Sequence, residues 1–391
     1  SSGSDVLQVN LNGASAVAVD VDPGFESALV TVNGTSDVDT LTLPGITNIV
    51  LQGSAAVDFA NTTLDGIASL TATSYTANLT TGAVGTDGFS AADIVGNADG
   101  TSILLGSGAD KIGFTAAEDA ATETNTIKLG AGNDTIEVNA AGSGNTGVFG
   151  QAGDDVVSSI TTALAATDVM LGGDGTDTFK SAITGDTLVL QEFEILNMDA
   201  GTDHTVTIQS SGQSLEVTAE VGADKAITVT GLYAGSTVNV IDGTSDSTGD
   251  LSLLNVGFST TEASTTLDID VGMTSGAVDD NLTVTKVSDL TLDFAKAVDL
   301  DVGGASGVAI ADTTALTING AKAIDLGLGI ETATKLKTMA VTGADGDIEL
   351  GTIVAANLTT LSVTAASDHE IDITDGTADA MDNAEDLSSV T

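Results

Sequence analysis

Four copies of one glycine–aspartate phrase recur at intervals of 24, 21 and 22 residues, counted between Asp110, Asp134, Asp155 and Asp177. They read Leu105-Gly-Ser-Gly-Ala-Asp-Lys-Ile112, Leu129-Gly-Ala-Gly-Asn-Asp-Thr-Ile136, Gly150-Gln-Ala-Gly-Asp-Asp-Val-Val157 and Gly172-Gly-Asp-Gly-Thr-Asp-Thr-Phe179. Aligned, they give G-G-x-G-x-D-x-U, with U a large apolar residue. Only the fourth copy is complete: Leu105 and Leu129 replace the first glycine, and Gln151 replaces the second. Self-similarity at this period marks a solenoid, in which each repeat is one coil that buries its apolar face on the next. Glycine allows φ > 0, which turns carbonyl oxygens inward. The aspartate adds a carboxylate, and the apolar residue two places on starts a strand anchored in the core.

A turn that offers only carboxylate and carbonyl oxygens suits Ca²⁺, which takes six to eight such ligands. One loop cannot supply them all, so neighbouring coils would have to share each ion. One phrase per coil predicts a ladder of ions along a single edge, with the incomplete copies the weaker sites. The candidate ligating positions are Gly106, Gly108, Asp110, Gly130, Gly132, Asp134, Gly150, Gly153, Asp155, Gly172, Gly173, Gly175 and Asp177, and the expected cofactor is Ca²⁺.

A second repeat, φ-x-x-φ-x-φ, runs through most of the remaining chain. It occurs at Ile46/Ile49/Leu51, Ile67/Leu70/Ala72, Phe193/Leu196/Met198, Val287/Leu290/Leu292, Leu336/Met339/Val341 and Leu358/Leu361/Val363, with a degenerate copy at Thr313/Leu316/Ile318. Four of these are followed by an alanine (Ala295, Ala321, Ala344, Ala366) and a second short alternating stretch: Val298/Leu300, Ile324/Leu326, Ile348/Leu350 and Ile371/Ile373. Alternation puts the named residues inside and the intervening Thr, Asp and Ser outside. Leucine-rich repeats share this opening, but they place Asn or Cys where this chain has alanine. The Asp/Gly/Thr-rich returns also hold no helical period. The expected fold is therefore all-β, a right-handed parallel β-helix or β-solenoid with a calcium-binding segment. Its expected divisions are an N-terminal solenoid segment at 1–85, the calcium-binding β-helix at 86–199 and a C-terminal solenoid segment at 200–391. The start, Ser-Ser-Gly-Ser, reads as the edge of an excised segment, and the final restart of the repeat at Leu387 as either a piece of a longer protein or a last repeat that caps the stack.

The formal charge is −47, from 56 acids against nine lysines and no arginine, and Asp outnumbers Glu 43 to 13. A short carboxylate on a turn is what a loop-ligated calcium protein uses. Apolar residues make up 41% of the chain, enough to fill a core, so the acid does not signal disorder. Nothing here could neutralise nucleic-acid phosphates, and an anionic membrane would repel the chain. There is no cysteine, and no apolar run reaches the length of a membrane-spanning helix.

Other features read as ordinary structure. The turns Gly34-Thr-Ser-Asp37-Val-Asp39 and Gly243-Thr-Ser-Asp246, like Asp299/Asp301, Asp345/Asp347 and Asp368/Glu370/Asp372, lack the G-x-G loop and read as solvated acids. Gly142-Ser-Gly-Asn-Thr-Gly147 matches a dinucleotide fingerprint, but it opens no helix and its surroundings would repel a pyrophosphate. His204 and His369 have no second histidine or cysteine at zinc-ligand spacing. The sequons at Asn33, Asn61 and Asn78 are what a threonine-rich chain produces by chance.

The four phrases resemble the calcium-binding repeats of RTX proteins. Together with the Phe193-Glu-Ile-Leu-Asn connector, the Thr/Ala/Gly/Asp-rich composition and the lack of cysteine, they resemble RTX-type surface-layer proteins of Gram-negative bacteria. The resemblance implies type I secretion without a cleaved leader, folding on external calcium, and self-association into a lattice at the cell surface. Cell-surface polysaccharide is a further partner it allows, with neither nucleic acid nor membrane insertion. RTX adhesins and biofilm-matrix proteins share the module. β-Helix enzymes that act on uronates also carry it, but they need cationic and aromatic groups. This chain has no Arg or Trp and only Tyr75 and Tyr233, so a non-enzymatic role is expected.

Overall fold

The structure is a computed structural model. It describes residues 5–15, 18–21, 23–38, 40–59, 64–81, 84–85, 88–89, 94–97, 99–116, 124–139, 144–159, 164–181, 186–200, 204–209, 214–221, 225–242, 251–269, 281–299, 308–326, 330–343, 345–351, 353–366, 369–372 and 389–390. Among them there is no helix, and nearly all strand pairing is parallel. The exception is a short antiparallel pair, Val84–Gly85 with Gly88–Phe89. The fold is a parallel β-solenoid. Parallel strands need long crossovers, and here each crossover is the rest of one coil. The chain divides into two compact units, Ser1–Ile195 and Leu196–Thr391.

In the first unit one wall is a continuous register line: Ser27, Asn48, Ser69, Ser102, Thr126, Gly147, Val169 and Val189 each pair with the next. One residue further along each strand lies the inner face. There Ile49, Leu70, Ile103, Ile127, Val148, Met170 and Leu190 stack in register and are all buried. Val50, the outward neighbour of Ile49, is 43% exposed, as strand alternation requires. A second wall stacks Ile112, Ile136, Val157 and Phe179, none of them measurably exposed. These are the apolar residues two places after each phrase's aspartate, so the strands that follow the four turns build one side of the core. Pairing continues across residue 85, through Leu70↔Ile103 and Thr80↔Lys111.

The second unit repeats the logic with the other motif. Leu290, Leu316, Met339 and Leu361 form one inner line, and Leu292, Ile318, Val341 and Val363 form a second. The short return strands Val298–Asp299, Ile324–Leu326, Ile348–Leu350 and Ile371–Asp372 make a separate four-stranded parallel sheet. Between the two strands of a coil, Ala295 and Ala321 sit at exposed bends, each N–H bonded to the coil before: Ala295 to Ile269 O at 3.0 Å and Ala321 to Phe294 O at 2.8 Å. Leu300, Asp301, Ala344, Asp368, Ile373, Leu387 and the turn at 243–250 lie outside the described residues.

Candidate metal centre

The four phrase aspartates form one column, one per coil, all essentially buried (0–1% exposed). Each carboxylate spends one oxygen on the coil before it. Asp110 Oδ1 accepts the Leu79 N–H at 2.7 Å, Asp134 Oδ1 that of Asp110 at 2.7 Å, Asp155 Oδ1 that of Asp134 at 2.8 Å, and Asp177 Oδ1 that of Asp155 at 2.8 Å. Glu194 closes the column by accepting the Asp177 N–H through Oε2 at 2.8 Å, and Phe193 beside it packs edge-on against Phe179 at a ring distance of 6.0 Å. The residues before the column are apolar: Leu79, then Val57 one coil earlier.

The second oxygen of each aspartate is the informative one. Asp110, Asp134, Asp155 and Asp177 all hold Oδ2 buried with no hydrogen-bond partner. An unsatisfied buried polar atom costs about 1–3 kcal/mol, and more when charged, so four in a row need an explanation. The opposite corner of the same coils supplies a control. There Asn125 Oδ1 accepts the Thr101 N–H at 3.0 Å, Asn125 Nδ2 donates to Thr146 Oγ1 at 3.4 Å, and Asp168 Oδ1 accepts the Thr146 N–H at 2.8 Å. Asp168 also uses its second oxygen, accepting the Ala165 N–H at 2.9 Å. Where a corner needs only capping, this chain uses Thr, Asn or a fully bonded Asp. The phrase column uses ionisable carboxylates and leaves half of each unused.

The electrostatics follow. Burial pushes Asp110 and Asp155 up to about 6, against the N–H bonds that lower them. Asp134 is pushed up to about 8, first by burial and further by its neighbours Asp110 and Asp155. Asp177 is also raised, by burial and then by Glu194, Asp154 and Glu192. Tyr75, buried next to the first turn, donates its hydroxyl to the Ala55 carbonyl. Burial and the Asp110 carboxylate raise its phenol above the usual range.

The glycines serve two purposes. Gly130, Gly132, Gly153, Gly173 and Gly175 take the left-handed backbone expected of the turns, with φ between +104° and +148°. Gly106, Gly108, Gly150 and Gly172 lie outside that region, so φ > 0 is not why they are glycine. Coil stacking explains them instead. A Cβ would lie 1.8 Å from Tyr75 O at Gly106, 2.2 Å from Ala77 O at Gly108, 2.1 Å from Gly172 O at Gly150, and 2.1 Å from Glu192 O at Gly172. Gln151 holds the turn without being glycine, at φ +83°. Its left-handed backbone costs about 1–2 kcal/mol, part of which glycine's greater chain entropy would cancel. Gln151→Gly should therefore raise stability by about 0.5–1 kcal/mol, read as a higher urea midpoint at unchanged slope.

The donor set is thus hard oxygen throughout, carboxylate from the aspartates and carbonyl from the glycine turns, which fits Ca²⁺ rather than a soft metal. Among the described residues no three His, Cys, Asp or Glu side chains gather round one point, so an ion held here would need oxygens other than carboxylates to complete its shell. Asp154, Glu192 and Glu194 lie close to the end of the column, whereas the acids of the C-terminal turns lie elsewhere. Asp345 and Asp347 face His369, with Nε2 3.7 Å and Nδ1 3.4 Å from their respective Oδ1 atoms, on an exposed turn. Asp345 is also paired with Lys322. His204 is buried inside a strand. Comparison with family models, with curated proteins and with solved structures finds no match to this chain.

Proposed function

We propose that this chain is a structural protein of the bacterial cell surface: a secreted solenoid that takes up Ca²⁺ along its aspartate column and packs with copies of itself into a surface layer. The observation that carries the calcium half of this reading is the column of buried aspartates whose second oxygens have no partner. The assembly half rests on charge and on the resemblance of the four phrases to RTX surface-layer proteins. Ions bound at four turns would neutralise only a small part of the −47 excess. High net charge keeps copies apart by self-repulsion. Side-by-side packing therefore needs further divalent cations bridging exposed acids on neighbouring copies.

The chain should associate into ordered sheets in millimolar Ca²⁺, and sodium at matched ionic strength should not reproduce this. Simple screening would make the two salts equivalent at one Debye length. Negative-stain imaging and light scattering distinguish the cases. Sheets in sodium alone would refute cation bridging, and calcium-loaded monomers would point to a solitary adhesin or matrix stalk.

A further inference from the structure

The four phrases differ at their first position, and the structure shows what that position faces. At Gly150 a Cβ would lie 2.1 Å from Gly172 O and 2.4 Å from Asp155 Oδ2. At Gly172 it would lie 2.1 Å from Glu192 O and 2.6 Å from Asp177 Oδ2. In both coils, then, the aspartate's unbonded oxygen and a carbonyl of the next coil converge on the bare face of a glycine. Register puts Leu129 in line with Gly150, since Lys128 pairs with Phe149 and Gly130 with Gln151. Leu105, which follows Leu104 in its pairing with Lys128, is in line with Leu129. Leu105 and Leu129 are 4% and 0% exposed, so in these two coils the inner corner is filled with hydrocarbon.

We infer that the column contains two kinds of position: Asp155 and Asp177, where Gly150 and Gly172 leave the oxygens free to converge on a divalent cation, and Asp110 and Asp134, where leucine keeps the cation out. This rests on the calcium reading above and adds which coils bind. Ca²⁺ must replace lost water with six to eight oxygens. A buried leucine supplies none and displaces the water that could complete the shell, whereas a glycine at the same place yields the space to carbonyls.

The test is equilibrium dialysis of Ca²⁺ on the whole chain, compared between variants so that sites on exposed turns cancel. Asparagine keeps the Oδ1 acceptor that caps the preceding coil, so Asp→Asn spares that structural bond. Asp155→Asn and Asp177→Asn should each release one ion per chain or weaken one site at least tenfold. Asp110→Asn should release none, and Leu129→Gly should add one. If Asp110→Asn loses an ion as Asp177→Asn does, the two-class inference falls while the calcium column stands. If no aspartate variant alters binding, both fall. Should Leu129→Gly fail to fold by circular dichroism, the three aspartate variants still decide the matter.

Discussion

In the presence of a chelator, the melting temperature of this chain should fall as pH rises from 5 to 8, and millimolar calcium should offset part of that fall. The folded-state pKa values of Asp110 and Asp155, near 6, and of Asp134, near 8, lie above the value of an unfolded aspartate. The folded state therefore holds protons that the unfolded state has already released, and stability declines with pH across that interval. The contribution is complete below about pH 4 and is lost as pH passes 6 and then 8. A tenfold change in proton affinity is worth about 1.4 kcal/mol, so the loss is on the order of several kcal/mol. Calcium acts in the opposite sense, because it binds the ionised carboxylates. At a Kd of about 0.1 mM, typical of weak extracellular modules, 1 mM Ca²⁺ adds about 1.4 kcal/mol per site. The two sites at Asp155 and Asp177 then give about 3 kcal/mol, a large fraction of the net stability of a whole domain. Asp134→Asn tests the cause directly. It keeps the acceptor for the Asp110 N–H and removes the most perturbed charge, so it should stabilise the chelated protein at pH 8 and flatten its pH profile. A melting temperature that climbs with pH in chelator would rule out buried carboxylates as the origin.

Much of this architecture was legible in the residues because register in a solenoid is a sequence interval. The 24, 21 and 22 residues between phrase aspartates reappear as the separations across which their carboxylates cap one another. The φ-x-x-φ-x-φ triplets were readable for the same reason: Leu290, Leu316, Met339 and Leu361 share one inner line because alternation and period both put them there. The opposite corner carries the same signal and is easily missed. Thr101, Asn125, Thr146 and Asp168 are bonded across intervals of 24, 21 and 22 residues, but capping is a property that Thr, Asn and Asp share. A search for identical letters passes over it, whereas one for polar caps nine residues before each phrase aspartate would find it. Glu194 is hidden differently, since it ends the column after a shortened interval of 17. Least legible is the reason for Gly106 and Gly108. A turn suggests φ > 0, but only the stacked backbone of another coil shows that the hydrogen side chain is needed for clearance.

That clearance makes the glycine edge sensitive to a single added methyl group. In Gly153→Ala the added carbon would lie 1.8 Å from Gly132 O and 2.5 Å from its carbonyl carbon, at φ +132°. Both partners are backbone, so no side chain can rotate away and the two coils must separate. Separation strains the Gly132 N–H bond to Ala152 O at 2.8 Å and the Asp154 N–H bond to Asn133 Oδ1 at 3.1 Å. It also strains the Asp134 N–H bond to Asp155 Oδ1 at 2.8 Å, so the column opens at the same place. A loss above about 4 kcal/mol is expected, in the range reserved for a disrupted core or backbone. Gly66→Ala is the comparison: its φ of +70° is also left-handed, but nothing lies within 4 Å of the new carbon, and its cost should be the conformational one of about 1–2 kcal/mol. Because each coil of a solenoid is supported only by its neighbours, Gly153→Ala should also expose the Asp134 amide to hydrogen exchange while leaving strands far along the stack protected. If urea melts give the two variants the same loss, coil-to-coil contact is not what selects glycine here, and the turn conformation alone would have to explain the repeat.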